Sequence, residues 1–156
     1  MPIRKLVILA TVTVTASCLA TTAAATSSAR TTTVRISTRK VPKLGTIIVD
    51  SKGRTLYMFV PDKRKRVTCV STCAAVWPPV KLPKGAKAAA AGAARGGLLG
   101  SDRDPAGGRV VTYDHWPLYT YVGDRKPGVA TGQALDLNGG LWYVLAPSGE
   151  VIRKKG

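Results

Sequence analysis

Residues 56–62 read LYMFVPD and residues 118–124 read LYTYVGD. A chain that writes one heptapeptide twice is assembled from two copies of one unit, and its fold has to house both. Sliding residues 45–62 forward by 62 positions sets Gly45 on Gly107, Ile48 and Val49 on Val110 and Val111, Leu56 and Tyr57 on Leu118 and Tyr119, Val60 on Val122 and Asp62 on Asp124, without a gap. Three inserted residues farther along bring Trp77 onto Trp142. The motif is Tyr-x-aromatic-x-x-Asp: Tyr57, Phe59, Asp62, then Tyr119, Tyr121, Asp124.

Each copy has hairpin syntax. GTIIVD, SKG and RTLYMFV read as strand, turn, strand; GRVVTYD, HWP and LYTYV say the same with other turn residues. Side chains alternate along a strand, so Tyr57 and Phe59 face one way while Leu56, Met58 and Val60 face the other. Both faces are apolar, which predicts a strand covered on two sides. LWYVLAP and EVIRK, joined at SG, make a C-terminal hairpin that adds Trp142 and Tyr143 to the core. In VWPPV, Pro78 and Pro79 force extended backbone after Trp77, whose indole is expected to plug the end of the core. The expected fold is mainly β: two related β-hairpin repeat units packed into one compact domain, with the two tryptophans as core aromatics.

The domain follows a leader. MPIRK, an apolar run LVILATVTVTA and a tract of small residues have the order of a secretory signal peptide over 1–25. Two processing routes stay open. Cleavage after Ala25 releases a soluble protein, whereas TASC ending at Cys18 is similar to a lipobox whose cysteine carries a lipid, although Thr15 replaces the usual leucine. Residues 26–40, with charges and hydroxyls but no apolar periodicity, read as a flexible tether. Repeat unit 1 is then assigned to 41–83, an Ala/Gly surface linker to 84–100, and repeat unit 2 with the C-terminal hairpin to 101–156.

Export sets the redox context. Cys18 is lipidated or discarded, which leaves Cys69 and Cys73 to form one disulfide in an oxidising compartment. So small a loop contributes roughly 2 kcal/mol on the loop-entropy model, enough to pin a turn. Charge points outward as well. The chain carries 24 Lys and Arg against 8 Asp and Glu; without Arg4 and Lys5 the balance is 22 against 8, a net of +14. Beyond the cytoplasm the matching partners are anionic envelope components, lipid head groups or wall polymers, and specific nucleic-acid binding is not expected. A solvated, solubilising surface is the plainer account of the same charges.

Catalytic motifs are sparse. Nucleophilic catalysis wants a nucleophile, a base and an orienting group, and the single histidine, His115, stands in a turn between Asp114 and Trp116. Cys69, Cys73 and His115 fall short of four zinc ligands, and Met58 lies on a packing face of its strand. SDRDPAGG, residues 101–108, lacks the further oxygens of a calcium loop and reads as a charged turn. Asp62 and Asp124 close their strands at turn positions, where the ordinary role is to accept backbone hydrogen bonds or pair with a cation. No catalytic, cofactor-binding or metal residue is assigned.

Taken together, the doubled Tyr-x-aromatic-x-x-Asp, the segment CVSTCAAVWPPV and the run GGRVVTYDHWPLYTYVGDRKPGVATGQALDLNGGLWYVLAPSG resemble a bacterial secreted repeat family of predicted lipoproteins with a Yx(FWY)xxD motif. The resemblance covers about residues 41–149. It departs at Val129, where relatives commonly carry aspartate, and at His115, where they carry a small residue, usually glycine. The family implies an extracytoplasmic location, secreted or anchored to the membrane only through a lipid, and no settled activity. The expectation is a non-enzymatic binding or structural module; the alternative is a small redox, metal- or haem-handling protein.

Overall fold

The computed structural model describes residues 31–63 and 66–156. The expected signal peptide, Cys18 and residues 26–30 lie outside the described residues. In chain order the elements are β1 (Thr33–Val41), β2 (Gly45–Asp50), β3 (Tyr57–Phe59), α1 (Thr72–Val76), β4 (Lys81–Leu82), β5 (Lys87–Ala90), β6 (Leu99–Arg103), β7 (Arg109–Tyr113), β8 (Trp116–Pro117), β9 (Asp136–Leu137), β10 (Gly140–Leu145) and β11 (Val151–Ile152). The protein is mainly β, as its repeats imply. Three small sheets form, ordered β2-β1-β5, β11-β10-β3 with β9 also on β10, and β4-β7-β6 with β8 also on β7.

Each unit opens with an antiparallel pair, β1 with β2 and β6 with β7. The outgoing strand then begins a hairpin: the Leu56 N–H donates to the Ile48 carbonyl, and the Leu118 N–H to that of Val111. Neither hairpin runs to completion. In unit 1 the motif strand β3 crosses to β10 of unit 2, with Phe59 opposite Trp142 and Tyr57 opposite Val144. In unit 2 Tyr119 bridges Pro79 of unit 1, the Thr120 N–H donates to the Pro78 carbonyl, and the Val122 N–H to that of Val76. Where the motif strands meet, Tyr57 and Tyr119 exchange both backbone hydrogen bonds, at 2.8 and 2.9 Å. A pseudo-two-fold axis passes through this bridge, so the closed hairpin expected of each unit gives way to an exchange between units.

Alternation along the motif strand sorts the core into two faces. One gathers Tyr57, Phe59, Trp77, Tyr119, Trp142 and Val144; the other gathers Leu56, Met58, Leu118, Val111, Tyr143 and Leu145. All but Phe59 and Tyr143 among these are entirely shielded from solvent. Trp77 corrects another expectation: it lies in the middle of the aromatic face instead of plugging an end, because Val76 and Pro78 on either side of it are strapped to the unit 2 motif strand.

Two segments expected to be irregular are strands. β1 starts at Thr33 and so takes up the second half of the tether assigned to 26–40, and the linker assigned to 84–100 contains β5 and the start of β6. β1 shows little apolar pattern because only Ile36 and Val41 are buried, and its stability comes from two partners, β2 and the parallel β5. The alanines of β5 have high helix propensity, yet tertiary pairing overrides it. Just beyond β5 the chain packs tightly on β1, where a Cβ added at Gly92 would stand 2.8 Å from Thr38 Oγ1.

The Asp114–His115 turn between β7 and β8 has φ of 45° and 67°, both in the left-handed region that a two-residue type I′ hairpin turn requires. Its unit 1 equivalent at the His115 position is Gly53, φ 75°. Left-handed backbone costs a side chain roughly 1–2 kcal/mol, and glycine gives back roughly 0.5–1 kcal/mol in unfolded-state entropy. His115→Gly is therefore expected to stabilise the protein by about 0.5–1 kcal/mol, read as a higher denaturant midpoint at unchanged m-value; an unchanged or lower midpoint would show that the turn holds no such strain.

Candidate functional site

Six aromatic rings and two aspartates surround the pseudo-two-fold axis. Four rings form a column: Phe59 on Trp142 (centroids 4.1 Å apart), Trp142 on Trp77 (3.9 Å, planes 3° apart) and Trp77 on Tyr121 (4.2 Å). Each motif's second aromatic thus stacks on the tryptophan of the other unit. The motif tyrosines stand edge-on to this column, Tyr57 5.3 Å from Trp77 and Tyr119 5.2 Å from Trp142. Such contacts contribute roughly 0.5–1.5 kcal/mol each beyond the area they bury.

The tyrosine hydroxyls extend the exchange. Tyr57 Oη donates to Asp124 Oδ2 at 2.7 Å, and Tyr119 Oη donates to Asp62 Oδ2 at 2.7 Å. The Tyr and Asp of one heptapeptide are therefore never each other's partners. The second carboxylate oxygen is held within its own unit: Asp62 Oδ1 accepts from Thr68 N–H and Oγ1, and Asp124 Oδ1 accepts from Thr131 N–H and Oγ1, all within 2.8 Å. The turn role expected of these aspartates is half of what they do. The other half, a hydroxyl from the opposite unit, appears in neither heptapeptide taken alone.

Local chain geometry supports these contacts. The 3₁₀ turn Val60–Asp62 carries Pro61, whose fixed φ suits the first turn of a helix, and swings Asp62 inward until it is fully buried. Cys69 and Cys73 form a disulfide. It ties the segment carrying Thr68 to α1, and α1 ends with the Trp77 N–H donating to the Cys73 carbonyl. Across the axis the place is taken by Gly132, whose N–H donates to Tyr57 Oη at 3.2 Å. Only glycine fits here, since a Cβ would lie 2.7 Å from the Trp77 ring and 2.9 Å from that of Tyr57.

Burial dominates the electrostatics. Desolvation raises the Tyr57 and Tyr119 hydroxyls far above the ordinary phenol value, and the adjacent carboxylates, Asp124 and Asp62, add to the shift. Asp62 is also raised above the usual carboxylate range by desolvation, against the lowering effect of its bonds from Thr68 and Tyr119. The two indoles differ. Trp142 Nε1 donates to the Leu137 carbonyl at 2.9 Å, whereas Trp77 Nε1 is buried without an acceptor among the described residues.

The structure thus brings together Tyr57, Phe59, Asp62, Trp77, Tyr119, Tyr121, Asp124 and Trp142 from the sequence reading. His115 stands apart in its exposed turn, and among the described residues no three His, Cys, Asp or Glu side chains converge as a metal site requires. Thr68 and Thr131 escaped notice. Their signal was a threonine six residues after one motif aspartate and seven after the other.

A family model described as "Secreted repeat of unknown function" matches residues 38–81 and 101–146, one match for each unit. No curated protein and no solved structure matches the chain. The first match begins inside β1 and ends at β4; the second begins inside β6 and ends just past β10. Each copy of the family repeat accordingly starts with the strand that precedes the hairpin.

A carboxyl group with a raised folded-state pKa keeps its proton in the folded protein over a pH range where the unfolded chain has lost it. Stability from Asp62 is therefore fully present below its unfolded value of about 4 and declines as pH rises through the folded value. Denaturant titrations across this range should show that decline in the native protein and a flatter profile in Asp62→Asn. Identical profiles would remove Asp62 as the source.

Proposed function

The chain belongs to the family of secreted repeats of unknown function, and from that premise we propose that it is a non-enzymatic envelope protein that holds anionic envelope components on a basic surface. The family is described as secreted, so the protein works outside the cytoplasm. The observation that carries the proposal is how the fold disposes of charge. Of eight acidic residues, Asp50, Asp62 and Asp104 are buried. Asp50 pairs with Arg54 and Asp104 with Lys81, while Asp62 and Asp124 receive the tyrosine hydroxyls. Three of the eight carboxylates are thus buried and a fourth, Asp124, is tied to a tyrosine hydroxyl, which supports an outer surface on which Lys and Arg outnumber acids.

Three cations line an open cleft of about 750 Å³ between the turn at 83–86 and the turn joining β6 to β7. Lys84, Arg103 and Arg109 stand exposed around it, and the Lys81–Asp104 pair braces one wall. A polyanion laid across such a cleft gains several weak, screened contacts instead of one deep one. Anchoring would add to it: a lipid on Cys18 would hold the domain at the membrane surface, while cleavage after Ala25 would release it.

Binding of the mature protein to vesicles rich in anionic lipid, or to anionic wall polymer, should weaken steeply between low and physiological salt. Replacing Lys84, Arg103 and Arg109 together by Ala should weaken it further at low salt. Salt-independent binding, or a triple variant that binds like the native protein, would contradict the proposal.

A further inference from the structure

We propose that the Trp77–Trp142 stack with the Tyr57–Asp124 pair is a one-electron donor site for oxygen-centred radicals. This activity is independent of polyanion binding.

The geometry has the parts such a site needs. Two indoles lie face to face at 3.9 Å with planes 3° apart, so a positive hole formed on one is shared by both and stabilised relative to a single ring. An indole that loses an electron becomes acidic at Nε1. Trp77 Nε1 has no hydrogen-bond acceptor among the described residues, and Trp142 Nε1 meets only a carbonyl, a poor base, so the hole stays mobile instead of being trapped by proton loss. Tyr57 is the next donor. Its ring stands 5.3 Å from Trp77 and 6.5 Å from Tyr121, and its hydroxyl is 2.7 Å from Asp124 Oδ2. A phenol gives up an electron easily only when its proton leaves with it, and the carboxylate stands where that proton would go.

The steps balance as follows. An alkoxyl or peroxyl radical takes one electron from the column through Tyr121, the half-exposed end ring, and a proton from water, becoming an alcohol or hydroperoxide. The hole passes to the indole pair. Tyr57 then returns one electron to the indoles and transfers its hydroxyl proton to Asp124, leaving a neutral phenoxyl radical beside a carboxylic acid. A thiol or hydroquinone from outside supplies an electron to restore Tyr57, whose proton returns from Asp124; the donor gives its own proton to the hydroxide left by the first step and leaves as a thiyl or semiquinone radical. Burial of Tyr57 keeps the phenoxyl radical from coupling with a second protein.

Pseudo-symmetry supplies an internal control. Tyr119 makes the same kind of bond to Asp62, but Asp62 is fully buried where Asp124 is only partly so, and no Tyr119–Phe59 ring contact mirrors that of Tyr57 with Tyr121. The test is flash one-electron oxidation of the mature protein, read by transient absorption and electron paramagnetic resonance. The native protein should show an indole radical giving way to a long-lived phenoxyl radical. Tyr57→Phe should lose the phenoxyl signal and prolong the indole signal, while Tyr119→Phe should retain both steps. If Tyr57→Phe does not fold, Asp124→Asn, which keeps a hydrogen-bonding group but no base, should show the same loss. A phenoxyl signal undiminished in Tyr57→Phe or Asp124→Asn, or abolished equally in Tyr119→Phe, would overturn the proposal and leave the rings as packing alone.

Discussion

The fold turns on a reciprocal hydrogen bond. Tyr57 of the first unit donates to Asp124 of the second, and Tyr119 of the second donates to Asp62 of the first. A buried carboxylate or phenol without a partner is expensive, by several kcal/mol for the charged group. Either unit alone would leave its tyrosine hydroxyl and one oxygen of its aspartate without the partner they have here, since only the other oxygen is held within the unit. The same crossing recurs at every level around the axis: β3 pairs with β10, the stretch after Trp77 pairs with the second motif strand, Phe59 stacks on Trp142 and Tyr121 on Trp77. Tyr-x-aromatic-x-x-Asp is thus a specification for docking onto a second copy of itself, and the repeat exists in pairs because one copy is unsatisfied.

Much of this could be read from the letters, though not the exchange. The duplication, the two-sided burial of the motif strands and the aromatic core were legible because alternation and repetition are local properties of sequence. Which unit supplies each partner is non-local, and identical motifs are compatible with either choice. β1 and β5 were missed for a related reason. KAAA carries no strand signal of its own; TVRISTRKV holds β-branched residues, but its charges and hydroxyls mask them and only Ile36 and Val41 are buried, and both segments are strands through pairing with each other and with β2. The disulfide, by contrast, followed from counting cysteines in an exported chain, and it secures the turn whose Thr68 completes the Asp62 site.

The chain is strongly basic by composition, and three of its eight acidic residues are buried: Asp62 against a tyrosine hydroxyl, Asp50 and Asp104 against Arg54 and Lys81. The cations around the 83–86 turn and the β6–β7 turn, Lys84, Arg103 and Arg109, share that cleft with Asp104, which pairs with Lys81. The core in its turn holds a column of four stacked rings, two from each unit.

The most direct test of the exchange is a set of double-mutant cycles on unfolding free energy. Tyr57→Phe with Asp124→Asn, and Tyr119→Phe with Asp62→Asn, should each show a coupling of about 1–3 kcal/mol, the range of a hydrogen bond to a charged group. Tyr57 with Asp62, and Tyr119 with Asp124, should add within about 0.5 kcal/mol. Coupling inside each heptapeptide and additivity between the two would contradict the crossed arrangement and return each repeat to a self-contained hairpin.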